Sequence, residues 1–197
     1  MTMRNEPSRR TRVIVTVAVF LAIAVGLFFG VRAALDAVGS RLPGASASAS
    51  PSATSAGFTY VSSQYGYSIE FPAEPTEQTK TEPFEDDEIS VTSAVWENGL
   101  RSLVSTGAAY PTGALADVNA SLKSALDGLL ANTPGAQLQS SDEFTLAGIS
   151  AVKALIATPG GDLRVVIAID GDTQYQLVAY NLDETTADGF FSTFAPA

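Results

Sequence analysis

The stretch AVKALIATPGGDLRVVIAIDGDTQYQLVAY, residues 151–180, decides the fold. Three runs rich in aliphatic, β-branched and aromatic residues are separated by two short turn sequences, PGGD at 159–162 and DG at 170–171. Glycine and aspartate readily adopt the backbone conformations that tight turns between antiparallel strands require. We therefore predict a three-stranded antiparallel meander in this part of the chain.

Two further strand pairs lie upstream of the meander. Residues 58–61 and 67–71 alternate apolar with polar side chains, and a glycine-containing turn lies between them. Residues 89–96 and 100–109 flank an Asn-Gly pair, which is one of the strongest short-range signals of a β-hairpin. The predicted strands are therefore antiparallel throughout.

Two other segments repeat their apolar residues with the period of a helix. In the first segment the spacing i, i+3, i+7, i+11, i+14 aligns one apolar face, made of Leu115, Val118, Leu122, Leu126 and Leu129. The second segment, 183–194, begins at an aspartate suited to a helix N-cap and carries two phenylalanines one turn apart. The predicted fold class is α+β, an antiparallel β-sheet flanked by helices.

The N-terminal region differs in kind from the rest of the chain. Residues 13–31, VIVTVAVFLAIAVGLFFGV, contain no charged side chain. A helix of this length spans roughly 28 Å, close to the hydrocarbon thickness of a bilayer. A cleaved signal peptide is the alternative, but its apolar core usually has only about 7–15 residues. We predict one transmembrane helix over 13–35, which contacts the lipid bilayer through residues 13–31.

Basic residues set the orientation of this predicted helix. Four arginines precede the apolar run 13–31 and two follow it, namely Arg4, Arg9, Arg10 and Arg12, then Arg32 and Arg41. Because the more basic flank stays in the cytoplasm, we predict a cytoplasmic basic tail at 1–12 in a single-pass protein of the cell membrane. Residues 36–57 are rich in Ala, Ser and Pro, which predicts a disordered linker. Residues 58–197 then form an extracytoplasmic α+β domain.

Composition excludes several kinds of chemistry. The chain has no histidine and no cysteine, so Ser-His-Asp or Cys-His catalysis, zinc sites built from those residues and disulfides are impossible. Residues 58–197 carry five basic and 19 acidic side chains, a formal charge of −14. Such a charge repels phosphate backbones. We expect no nucleic-acid partner, no cofactor and no enzymatic activity.

An acidic cluster precedes the strand predicted to begin near Ile89. Asp86, Asp87 and Glu88 belong to it, and clustered carboxylates can bind Ca²⁺. Adjacent acids on an extended chain, however, point in alternating directions, and the spacing of a calcium-binding EF-hand loop is absent. We interpret residues 82–88 as a solvated loop and keep these three acids as the candidate metal ligands.

Tyrosine and tryptophan residues exceed what a minimal core requires. Their amphipathic side chains suit pocket walls and partner surfaces as well as cores. Tyr65, Tyr67, Trp96 and Tyr110 are the candidates for a ligand or partner surface. The competing interpretation is that aromatic residues within strands belong to the core.

The segment YGYSIEFP, residues 65–72, resembles the first-hairpin signature of the PsbP/Mog1-like α/β/α sandwich domains. The C-terminal part is also similar to that family, because Gly148 precedes the meander, a Tyr-x-Leu strand occupies 175–177 and the last helix closes with Phe191-x-x-Phe194. The resemblance implies a central antiparallel sheet covered by helices on both faces. The family includes photosystem accessory proteins, a small-GTPase-binding protein and many bacterial envelope proteins, and it has no shared catalytic residue set.

The predicted function is that of a membrane-anchored extracytoplasmic module that binds an unknown envelope protein or a small apolar ligand without catalysis. Two alternatives stay open, a carboxylate-based extracytoplasmic hydrolase and a structural accessory subunit of an envelope complex. Two converging, partly buried acids in a pocket would favour the hydrolase. A shallow aromatic surface without such acids would favour binding.

Overall fold

The computed structural model describes residues 57–85 and 87–197, and in this part of the chain ten strands and two helices follow one another. In chain order they are β1 (Phe58–Ser62), β2 (Tyr67–Phe71), β3 (Thr76–Phe84), β4 (Asp87–Asn98), β5 (Arg101–Ala109), α1 (Val118–Asn132), β6 (Gln137–Leu146), β7 (Ile149–Thr158), β8 (Gly161–Asp170), β9 (Thr173–Tyr180), α2 (Glu184–Ser192) and β10 (Ala195–Pro196).

The strands form two antiparallel sheets. The large sheet has seven strands in the order β3-β4-β5-β9-β8-β7-β6, and the small sheet has three in the order β1-β2-β10. Within the large sheet β5 pairs with β9, which places Thr106 opposite Gln176 although α1 and three strands lie between them in sequence. Because β3 and β6 are the first and last strands in this order, they form the two edges of the large sheet.

Tight turns fix the register of the large sheet. Ala147 and Gly148 join β6 to β7 with φ values of 49° and 89°, and a type I′ turn requires positive φ at both positions. Gly171 joins β8 to β9, and its φ of 56° at the first loop position is that of a type II′ turn. The antiparallel pairing of β7 with β8 and of β8 with β9 confirms the predicted meander, and the turns determine which side chains face each side of the sheet.

Each face of the large sheet is covered by different elements. Along β8, Leu163, Val165 and Ile167 pack in the hydrophobic cluster that contains α1. Val166 and Ala168 pack in the other cluster, which contains the small sheet and α2. We call these the α1 face and the small-sheet face.

Both helices begin at the aspartates that precede them. The Asp117 carboxylate accepts the Ala120 N–H at 3.1 Å, and the Asp183 carboxylate accepts the Thr186 N–H at 2.9 Å. Each bond satisfies one of the free N–H groups of the first helical turn. The two helices expected from the apolar spacing are confirmed as elements.

The predicted fold class, an antiparallel sheet flanked by helices, is wrong. The described chain is a β-rich fold with two sheets, because the hairpin β1–β2 pairs with β10 and packs with α2 on one face of the large sheet. The prediction also lacked β3 and β6, and the segment interpreted as a solvated loop at 82–88 belongs to the β3–β4 hairpin. In β3 and β6 only the last residue is buried, so neither strand shows the apolar alternation from which strands are predicted.

The predicted basic tail at 1–12, the predicted transmembrane helix at 13–35 and residues 36–56 of the predicted linker lie outside the described residues. Among residues 57–85 and 87–197, neither helix is long and apolar enough to cross a membrane.

Candidate functional site

Two of the predicted surface tyrosines lie between the sheets. Tyr65 and Tyr67 are buried on the small-sheet face. The Tyr65 hydroxyl donates to the carbonyl oxygen of Ser90 at 2.7 Å, and the Tyr67 hydroxyl shares a hydrogen bond with Ser105 Oγ at 3.1 Å. Burial raises the pKa of Tyr67 to about 12, although the bond to Ser105 opposes the rise. This hydroxyl is therefore a neutral hydrogen-bonding group near neutral pH.

The other two predicted aromatic residues lie apart from each other. Trp96 is half buried and packs against the same cluster as Tyr65 and Tyr67. Tyr110 is buried on the α1 face, where its ring meets Phe84 edge-on at 5.2 Å between centroids. The structure thus brings three of the four candidates together and places the fourth across the sheet. A ligand contact by any of them stays a prediction.

Two of the three predicted metal candidates lie at the start of β4. Asp87 and Glu88 are exposed, at adjacent strand positions opposite Phe84 and Pro83. Side chains at adjacent strand positions point to opposite faces of a sheet. Asp86 lies outside the described residues. The described part of the chain contains no group of three or more side chains arranged to hold a metal ion, and a site completed by Asp86 stays a prediction.

Three described carboxylates are half buried and would be the first candidates for acid–base chemistry: Glu82, Asp172 and Asp188. Asp172 accepts the Gly113 N–H at 2.8 Å, which holds the segment after β5 against the β8–β9 turn. Asp188 accepts from Lys153 Nζ at 2.6 Å and joins α2 to β7. Two of the three therefore make structural contacts, and a hydrolytic acid pair would have to be built around Glu82.

Three buried polar atoms on the α1 face have no hydrogen-bond partner among the described residues: Ser102 Oγ, Gln174 Oε1 and Gln176 Nε2. Ser102 is fully buried, and the two glutamines are almost so. Each such atom destabilises the fold by about 1–3 kcal/mol relative to a paired one. Because all three belong to the core, we assign them no contact with a ligand.

The edge strand β6 is the most exposed element with apolar side chains. Its first nine residues are exposed, and they include Leu138 and Phe144, which are 42% and 37% exposed. Asp142 and Glu143 lie between them, and no ion pair joins either acid to a described basic residue. We call residues 137–146 the β6 edge. Exposed apolar side chains on an edge strand mark a surface suited to association.

Sequence reasoning missed the β6 edge, although one signal for it exists. Ala147-Gly148 lies between the apolar residues Leu146 and Ile149, as a two-residue hairpin turn would. This signal implies a strand before the turn. Residues 137–143 are mostly polar, so they lack the apolar alternation from which a strand is predicted.

Comparison with protein families and with curated proteins finds no match to this chain. Among solved structures, the crystal structure of PA94, a protein of unknown function from Pseudomonas aeruginosa, is similar over 72% of this chain and 97% of that chain. The two share 14% sequence identity with a TM-score of 0.39, and this likeness carries no functional conclusion.

Proposed function

We propose that this chain is a membrane-anchored binding protein whose domain, residues 58–197, binds a protein partner outside the cytoplasm without catalysing a reaction. The observation that supports this proposal is the β6 edge, where Leu138 and Phe144 are exposed on a strand that pairs on one side only among the described residues. Monomeric proteins usually protect such edges. An edge that exposes two large apolar side chains is suited to a partner.

The contacts of the polar groups favour binding over hydrolysis. Tyr60 donates to the Glu77 carboxylate at 2.6 Å, and burial together with this bond raises the pKa of Tyr60. Asp172 and Asp188 hold neighbouring elements together. These acids contribute to the structure of the domain, whereas a hydrolase needs a carboxylate pair free to transfer a proton and to attack or activate water.

The proposed location follows from the apolar run at 13–31 and the arginines before it. A reporter that is active only outside the cytoplasm, fused after Ala197, should be active in cells. If that fusion is inactive while a cytoplasmic reporter at the same position works, the orientation is wrong.

Binding is tested by site-specific photocrosslinking of the full chain in its native membrane. A photoreactive side chain replaces in turn Val61, Leu100, Leu138 and Phe144, all of them exposed apolar residues. We expect discrete adducts with one protein from the two β6 positions and none from Leu100, which lies at the β4–β5 turn. The absence of a discrete adduct from both β6 positions would contradict the proposed function.

A further inference from the structure

We infer that β6 is a strand-addition site, at which an extended segment of the partner protein pairs with β6 and continues the large sheet. The segment alternates apolar side chains, which cover Phe144, with basic side chains, which face Glu143. This inference rests on the proposed function and specifies how the partner is recognised.

The β6–β7 turn determines which backbone groups of β6 are free. In a two-residue hairpin the residues that flank the turn exchange both backbone hydrogen bonds, so Leu146 and Ile149 form a hydrogen-bonded pair. Hydrogen-bonded pairs alternate with non-hydrogen-bonded pairs along an antiparallel ladder. Ser141, Glu143 and Thr145 therefore direct their N–H and C=O groups away from the sheet, toward an incoming strand.

The opposite edge of the large sheet is interrupted by a proline. On β3 the residue at the equivalent outward position, one before the pair Phe84–Asp87, is Pro83. Proline has no N–H to donate, and its presence on an edge strand is a known protection against pairing. The described residues of β3 also expose no large apolar side chain, whereas β6 exposes two. The two edges thus differ, because β6 combines exposed large apolar side chains with a strand that has no proline.

A register shift interrupts β6 only near its start, between Leu138 and Ser140. From Ser140 to Leu146 the strand is regular and offers three outward residues in succession. A regular edge of this length accommodates a short extended segment.

The charges on β6 define the chemistry of the segment. Asp142 lies opposite Lys153 on β7, but the Lys153 ammonium is already bound to Asp188 at 2.6 Å. Asp142 and Glu143 are therefore left unneutralised, in a domain of strongly negative charge. Basic side chains on the α1 face of the segment complement Glu143 and the negative charge of the domain, whereas Asp142 lies on the small-sheet face together with Phe144. A second copy of this chain would place its own acids against the same strand, where like charges oppose pairing.

Two synthetic peptides as long as β6 test the inference, one alternating lysine with valine and the other alternating glutamate with valine. Each is titrated against the full chain in mild detergent, and amide hydrogen exchange is measured by NMR. We expect only the lysine peptide to bind. On binding, exchange should slow at Ser141, Glu143 and Thr145, whereas Asp142 and Phe144 should change little because their N–H groups already bond to β7.

Two variants of Glu143 and one control variant on β3 test the same inference. Glu143→Pro removes one outward N–H and one carboxylate, and it should weaken binding of the lysine peptide by roughly tenfold or more. Glu143→Lys leaves the backbone able to pair and should move the preference toward the glutamate peptide. Thr81→Pro, at an outward position of β3, is the matched control and should leave binding unchanged.

The outcomes separate this inference from the proposed function. Strand addition is overturned if the lysine peptide binds without slowing exchange at the three outward amides, or if Glu143→Pro binds it as well as the unchanged chain. It is also overturned if neither peptide binds while photocrosslinks form at β6, and in that case the proposed binding function stands. If the chain dimerises with increasing concentration and Glu143→Pro abolishes this dimerisation, the strand that pairs with β6 belongs to a second copy of the chain and not to a partner protein.

Discussion

Gly107 is the position at which adding one methyl group should destabilise this domain measurably. It lies on β5 and faces the small sheet. A Cβ atom there would lie 2.6 Å from both Cγ and Cδ2 of Tyr65 and 3.0 Å from its Cβ. The backbone of Gly107 is that of an ordinary strand residue, so the predicted effect of Gly107→Ala arises from this contact alone.

The tyrosine cannot withdraw easily from the added methyl group. Its hydroxyl donates to the Ser90 carbonyl oxygen at 2.7 Å, and its own carbonyl oxygen accepts the Tyr175 hydroxyl at 2.9 Å. Overpacking of a closed core typically destabilises by about 1–3 kcal/mol. A lost hydrogen bond adds about 1 kcal/mol. We expect Gly107→Ala to lower the free energy of unfolding by about 2–4 kcal/mol.

The assay is chemical denaturation of the full chain in mild detergent, followed by the fluorescence of Trp96, the single tryptophan of the sequence. Trp96 packs against the cluster that contains Tyr65, so its emission reports on this core. Gly189→Ala is the matched control, because a Cβ at that position of α2 meets nothing within 4 Å. It should raise the free energy of unfolding by about 0.5–1 kcal/mol.

A double-mutant cycle shows whether Tyr65 is the cause. In a Tyr65→Ala background, Gly107→Ala should change the free energy of unfolding by less than about 0.5 kcal/mol, since the ring it would meet is gone. The reasoning is refuted if Gly107→Ala is harmless in the unchanged protein, or if it destabilises both backgrounds equally.

Three further predictions concern buried hydroxyls, one helix cap and calcium. Ser102→Ala removes a buried hydroxyl that has no partner among the described residues, and it should raise the free energy of unfolding by about 1 kcal/mol. Ser105→Ala removes the hydrogen bond to the Tyr67 hydroxyl and should lower the free energy of unfolding by about 1 kcal/mol. Equal shifts of the two variants in urea titrations would contradict this prediction. The Thr186 N–H lowers the pKa of Asp183, so the stability that this carboxylate contributes is complete above about pH 4 and is lost as the pH falls through the lowered pKa. Asp183→Asn should therefore make acid unfolding less dependent on pH, and an unchanged pH profile would exclude this contribution. Calcium should shift the melting temperature no more than sodium chloride of equal ionic strength, and a saturable rise would instead indicate a site that includes Asp87.

Short-range chemistry explains which elements were predictable. Gly171 and the Asn98-Gly99 pair mark turns because their conformations depend on the residues themselves. Asp183 marks the start of a helix for a similar reason, since its carboxylate satisfies the N–H of a residue three positions away. The apolar periodicity of α1 likewise records that one of its faces is buried.

The candidate site was less predictable than the elements. Tyr65 and Tyr67 were proposed as surface residues, but their burial depends on a second sheet that closes over them. Phe144 was not proposed at all, because its exposure depends on β6 being the last strand of the large sheet. Neither the burial of the tyrosines nor the exposure of Phe144 can be inferred from the residues next to these positions.

The sequence by itself determined the turns, the two helices and the antiparallel direction of the meander, because each depends on contacts between residues close along the chain. Only the tertiary structure decided that β5 pairs with β9, that the first hairpin joins β10 in a separate sheet, and that β3 and β6 become edges. Each of these two edge strands is exposed on both faces along most of its length, so it carries no apolar pattern to reveal it. Its existence follows from the strand that it pairs with, and that pairing is formed only when the sheet assembles.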